Sequence, residues 1–469
     1  MSSTDEILQR IERDGVRILD LRFTDLAGRW RHTAIDAGSV DAAILEHGLL
    51  IDGSGVPGWR DVSESDLLVK PDPATAFLDP FSAQPSLVLL CEAAEPATGM
   101  GYERDPRSTA LRAEAWLAGH PAADRVVVGA ELGFFLFDDV RIEVTPLAAS
   151  FRLAGSESRA AGSQAYAGGN PGHRPGPGTA QLVMPPTDHM SDIRGEIATL
   201  LCGLGFTRVH HDHAAAAQQG RISFAPGGLL ATADRVQTLK YVVHQVAASY
   251  GKSASFMAKP VADEPGSQMA VHQSLWQGER PLFAGQGYAD LSPTCLSFIA
   301  GIIQHGPAIN AFTNPTTNSY KRLRKDLDEP ALLAFAAHNR SAAIRIPYAA
   351  QAAGKRVEVR FPDPSANPYL AFTAILMAGL DGIERKLEPG DAMDRNLYDL
   401  RPEEIDDLPT TASTLGQALD ALEADHDFLL RGEVMSHDLI EAYVELKRRE
   451  IELVERMPSP VEFQLYYGL

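Results

Sequence analysis

Between Arg356 and Phe361 the chain alternates strictly, with Val357, Val359 and Phe361 on one side and Arg356, Glu358 and Arg360 on the other. A period of two predicts a strand with one apolar face. Its charged face either stands in open water or lines a cleft. The apolar run Tyr369 to Leu380, which follows at once and reads as a buried helix, favours the cleft. Val16 to Phe23 also largely alternates, Asp52-Gly53-Ser54-Gly55 predicts a turn, and Arg125 to Phe137 predicts a strongly apolar strand. Helices are predicted from the segment following Tyr102 to Ser108, from Met190 to Gly203 and from Ala233 to Tyr250. Ser436 has the chemistry of an N-cap for a long helix with an apolar stripe of Ile440, Tyr443, Val444, Ile451 and Val454, interrupted by Lys447. Residues 154 to 180 carry Gly, Ser, Pro and Ala without periodicity, the pattern of an active-site loop or a disordered insert. The change of pattern near Tyr102 to Ser108 divides the chain into residues 1–105 and 106–469.

Composition narrows the picture. At 469 residues two or more domains are expected, and 45% hydrophobic residues suffice for large cores. A formal net charge of -20 argues against nucleic-acid binding. No apolar run is long enough to span a membrane. The start of the chain is polar, with no secretory core. Cys91, Cys202 and Cys295 are widely spaced without a metal-type pattern, which suits a reducing cytoplasm. Against this acidic background Arg340, Arg345, Arg356 and Arg360 crowd into one segment, with Lys321 and Arg322 just upstream. Concentrated guanidinium predicts a pocket for a small phosphate- or carboxylate-bearing substrate.

Many separate motifs, in one order, carry a family resemblance. They include DLRFTD, GYERDPRS, GGNPGHRPG, KYVVH, NPTTNSYKRL, NRSAAIRIP, EVRFPDPSANPYL, NLYDL and the terminal VEFQLYY. From about Val16 to Leu469 the chain resembles a bacterial type I glutamine synthetase. The resemblance implies an α+β fold: a small N-terminal β-grasp-like domain, and a large catalytic α/β domain with a curved antiparallel sheet and a C-terminal helical tail. It implies ATP, two divalent metals, and active sites between subunits of hexameric rings stacked as a dodecamer, with VEFQLYYGL as a ring-locking tail. In the family, ATP phosphorylates a carboxylate and ammonia displaces the phosphate, so charge on the transferred group must be neutralised. By position the resemblance assigns catalytic roles to Asp52, His213, Asp328 and Arg340. It assigns substrate or phosphate contacts to His211, Gly266, His272, Ser274, Arg322, Arg340, Arg345, Arg356 and Arg360. Tyr398 falls on the tyrosine that is adenylylated in some relatives; the other reading is a plain surface tyrosine.

The sequence departs from the family where metals are held. Glu131 and Glu358 are kept. Gly133, His213, Arg221 and Ala270 stand where the family has ligands, and Gly55, Gln181 and Pro265 replace residues that recognise ammonium and glutamate. Arg221 either replaces a metal's charge or points to solvent. Glu131, Glu358 and His213 either rebuild a site for one divalent ion, Mg or Mn, or leave histidines in a metal-free polar pocket. Three functions follow: an ATP-dependent carboxylate–amine ligase with an altered substrate, at most one metal and little glutamine synthesis; an ATP-independent enzyme using the arginine clamp with His213; or a non-catalytic regulatory or ligand-binding paralogue.

Overall fold

The computed structural model describes residues 3–165, 169–176, 179–324, 329–405 and 408–468. Near the N-terminus five strands form one sheet in the order Trp30–Asp36, Ile18–Thr24, Ser86–Ala94, Asp66–Leu78, Leu49–Asp52. Ile18–Thr24 and Ser86–Ala94 run parallel, and the other neighbours are antiparallel. The alternation read from Val16 to Phe23 is realised here, although both faces of that strand are buried because Asp20 and Arg22 are enclosed as well. Arg22 donates to Asp20 and Asp79, and Tyr241 of the long helix Leu229–Ser249 donates to Asp79, so charge is matched where the small sheet meets the rest. Arg107 repeats the device, bridging Asp72 of the small sheet and Asp234 of the long helix.

The second sheet has nine strands. Its main path is Phe335–Ala337, Ile344–Ile346, Val357–Val359, Met269–Gln277, Arg125–Phe137, Gln219–Ser223, His210–His213. Only the first pair is parallel. Helices cover one face. The most enclosed is Pro368–Glu384, buried from Pro368 through Gly382, as its unbroken apolar run requires. Three other predicted helices form with small shifts in their ends: Pro106–Ala118 capped by Asp105, Ser191–Gly203, and His437–Glu455 capped by Ser436. The caps are acceptors for backbone N–H groups and each contributes about 1 kcal/mol. Lys447, which breaks the stripe of the last helix, is buried against Glu450, while Val454 at its end is exposed.

Among the described residues between 155 and 190 there is little regular structure beyond one short turn of helix at Arg159–Ala161. Two apolar surfaces stay open on the protomer. One is the hairpin Asp139–Thr145/Ala148–Ala154, with Ile142, Val144, Leu147 and Phe151; the other is the terminal helix Pro460–Tyr466, with Val461, Phe463 and Leu465. No single helix among the described residues is long and apolar enough to cross a membrane; one bent pair, Pro293–Gln304 with Gly306–Thr313, passes on length and composition together.

Candidate active site

The site lies on the open face of the second sheet. Cross-strand pairing sets it. Ala270 lies opposite Glu131, His272 opposite Glu358, Glu358 opposite Arg345, and Arg221 opposite both Gly133 and Asp212. Side chains directly opposite in adjacent strands share a face, so these residues form one polar surface. The alternation read at Arg356–Phe361 is borne out in register: Val357, Val359 and Phe361 are fully enclosed, and Glu358 faces the site.

Glu358 is the hub. Arg345 donates to one oxygen at 2.7 Å and Arg360 to the other at 2.6 Å. Burial works to raise its pKa, but His272 (at the acid pH where that ring is charged), Arg360 and Arg345 outweigh it and hold the carboxyl below its ordinary value. Arg356 donates to His272 Nδ1 at 3.3 Å. That ring nitrogen is therefore an acceptor. Burial, with help from Arg356, pulls His272 down to about 4, so the imidazole is neutral at pH 7. Arg360 also donates to the Arg340 carbonyl, which ties this cluster to a cavity of about 530 Å³ lined by His338, Asn339, Arg340, Arg395 and Tyr398. Arg340 itself is exposed there. The Tyr398 hydroxyl donates to the Arg340 carbonyl at 3.4 Å.

Arg221 points into the site. It grips Asp212 with two bonds of 2.9 and 2.8 Å and reaches Glu131 at 3.2 Å. The guanidinium is thus held by two carboxylates, although the side chain stays about one-third exposed (32%). Glu131 is raised above its ordinary pKa by burial, aided by Glu358 and Asp212 and opposed by Arg221. Asp212 was not singled out from the sequence, and it is the carboxylate that this strand turns to the site.

His213 requires a correction. It does not meet Glu131 or Glu358. A period of two turns Asp212 and His213 to opposite faces, and the His213 ring is engaged on both sides: Nε2 with Glu157 at 3.0 Å, Nδ1 with the Ala214 carbonyl at 2.9 Å. His213 is 1% exposed and Glu157 0%. Glu157 also accepts the backbone N–H groups of His189 and Gln218, so one buried carboxylate ties its own turn and His189 to the His213 strand and the turn that follows it. Glu157, Asp188 and His213 are the one group of three among the described residues whose ligand atoms lie within 4.8 Å of each other, but Asp188 is already bound by Arg194. His211 lies half-buried on the same strand as His213.

Burial lowers the pKa of His213, and its bonds to Glu157 and Ala214 raise it more, leaving it above 6.5. A raised histidine stabilises the fold fully below its unfolded pKa and loses that contribution as pH rises through the folded value. The melting-temperature gap between the native protein and a His213→Gln variant is therefore expected to be widest below about pH 6.5 and to narrow as pH rises. Paired thermal melts across that range check it.

The remaining assigned residues are spread around this surface. Arg322 is fully buried, donating to the carbonyls of Arg360, Phe361 and Pro362 and paired with Glu329 at 3.1 Å, so it shapes the loop below Arg360. Gly266 passes close to Ala258 and Arg322, with no room for a Cβ, and its carbonyl accepts from Gln219. Ser274 is buried and accepts from Trp276. Asp52 caps its own turn, where hydrogen bonds from Ser54 keep its carboxyl below the ordinary value. Asp328 lies outside the described residues.

Two family models match the chain: the glutamine synthetase β-grasp domain over residues 15–96 and the glutamine synthetase catalytic domain over residues 103–466. The chain is 47% identical over 469 residues to a glutamine synthetase of Rhizobium meliloti, and 48% identical over 468 residues to one of Bradyrhizobium diazoefficiens, with both proteins of each pair covered in full. A cryo-EM structure of Plasmodium falciparum glutamine synthetase superposes with a TM-score of 0.90 at 24% identity, covering 100% of this chain and 99% of that one. The ligand-free structure of GmaS superposes at 0.81 with 28% identity, covering 99% of each. The chain belongs to the glutamine synthetase family, a family of carbon–nitrogen ligases that use ATP and divalent metals. Its architecture is the fold expected from the sequence, a β-grasp domain followed by a mixed catalytic domain around a curled sheet.

Proposed function

We propose that this protein is an ATP-dependent carboxylate–amine ligase whose acid or amine differs from glutamate and ammonia, and that it makes glutamine poorly. ATP supplies the phosphoryl group; the chain supplies the charge around it. The observation that carries this reading is the Arg345–Glu358–Arg360 cluster beside Arg356 and the Arg340 cavity, a concentration of guanidinium suited to a small anion. Two further features support an altered substrate. Gly133 and Ala270 offer no polar group, and Gly55 and Gln181 widen the region that Asp52 of a neighbouring subunit would reach.

A pair of divalent ions does not fit these residues. Gly133, Arg221 and Ala270 supply no donor atom, Glu131 is bound by Arg221, and Glu358 is bound by two arginines. The reading therefore allows at most one ion, Mg or Mn, or none. His213, held by Glu157 and the Ala214 carbonyl, does not join Glu131 and Glu358 as a ligand, so the reading draws no metal ligand from it. The reading keeps a cytoplasmic location and a division of the chain near residue 105; its assembly as two stacked hexameric rings draws support from the exposed apolar hairpin and terminal helix.

The test is ADP release with a panel of small carboxylates and amines, with and without Mg or Mn. The expected result is release that depends on an amine other than ammonia. Glutamine formation from ammonia as fast as any other product overturns the reading. A second reading, a non-catalytic paralogue that assembles with an active relative, is favoured by one fact: Glu358 already satisfies both arginines. No turnover with any pair, together with co-assembly, selects it.

A further inference from the structure

We propose that Arg221 is a built-in cation that takes the place of one metal ion, that Asp212 is its positioning residue, and that Gly133, opposite it, leaves that position without a ligand. The three positions are locked by register. Arg221 lies opposite Gly133 on one neighbouring strand and opposite Asp212 on the other. Asp212 fixes the guanidinium plane through two parallel bonds, a geometry that lysine cannot reproduce. The remaining nitrogen, Nη1, then reaches Glu131, two residues along the strand from Gly133. At Gly133 a Cβ would meet Ser267 at 3.3 Å and Gln268 N at 3.4 Å, and the glycine brings no side-chain donor to the face it shares with Arg221. Two carboxylates and one guanidinium leave a local charge of -1. A divalent ion brought among them meets a fixed positive charge within a few ångströms. A fixed guanidinium also needs no metal concentration to be filled, and unlike an ion it cannot exchange.

The inference rests on the family reading of this face but not on which substrate is joined, and its test reads metal rather than turnover. Mn²⁺ binding to the purified full-length protein is counted by the EPR signal of the free ion. The native protein and Arg221→Lys are expected to bind at most one Mn²⁺ per subunit. The double variant Gly133→Glu with Arg221→Glu is expected to bind one more than the native protein. Arg221→Gln alone, which leaves Asp212 and Glu131 without their cation, is expected to bind Mn²⁺ at least about tenfold more tightly. Two ions per subunit in the native protein overturn the proposal. So does a double variant that melts cooperatively yet gains no ion, or, if that variant does not fold, an Arg221→Gln protein whose Mn²⁺ affinity is unchanged. A failed ligase assay leaves all of these counts unaffected, so the two readings fail separately.

Discussion

Replacing Glu358 with alanine is expected to destabilise the protein by about 3–5 kcal/mol and to remove its capacity to bind a small anion in an ordered way. The carboxylate is enclosed, and it satisfies Arg345 and Arg360 at once. Without it, Arg345 and Arg360 both lose the carboxylate that binds them. Removing one member of a buried ionic cluster costs more than the cluster contributes, because the charges left behind remain desolvated. Glu358→Gln separates the two consequences. The amide keeps one acceptor and the volume but loses the charge, so stability falls by less while the arginines repel. Urea unfolding of both variants checks the energies. Isothermal titration with phosphate or a small dicarboxylate checks the anion site; a native-like affinity in Glu358→Ala would show that the arginines hold their arrangement unaided.

That cluster was legible because the alternation of Arg356–Phe361 declared which residues share a face. The same rule, applied to His210–His213, would have found Asp212. In a strand of four residues, Asp212 and His213 must part company, and only one can face Arg221. Three histidines around one aspartate drew attention to the nitrogen ligands instead. Glu157 was harder to see. It sits in Gly155-Ser156-Glu157-Ser158, a run with no period and no apolar anchor, and its burial depends on backbone N–H groups of His189 and Gln218. Such a residue is enclosed by tertiary contacts that no local pattern announces. The helices were readable for the opposite reason: Pro368–Glu384 is apolar all round, and that composition belongs only in a core. Motif order carried the family, while the chemistry of the site depended on single substitutions whose effect is set by register.

Register of another kind governs the second large effect. Gly301→Ala is expected to destabilise the protein by at least about 3 kcal/mol, and Gly382→Ala by a similar amount. The helices Pro293–Gln304 and Pro368–Glu384 cross at these two residues. A Cβ on Gly301 would lie 2.0 Å from the Ala378 carbonyl oxygen and 2.8 Å from Gly382 N; one on Gly382 would lie 2.1 Å from the Ser297 carbonyl oxygen. Both obstacles are backbone, so no side chain can swing aside, and the helices must separate. Alanine does favour the helix itself by about 1 kcal/mol over glycine, but that gain is smaller than the loss of close packing along two buried helices. Gly195, within the helix Ser191–Gly203, provides the opposite case. Nothing lies within 4 Å of its Cβ position, so Gly195→Ala is expected to stabilise by about 0.5–1 kcal/mol. Denaturant melts of the three variants decide the matter. If Gly301→Ala and Gly195→Ala shift stability in the same direction, the close crossing of the two core helices is not what holds this sheet's covering layer in place.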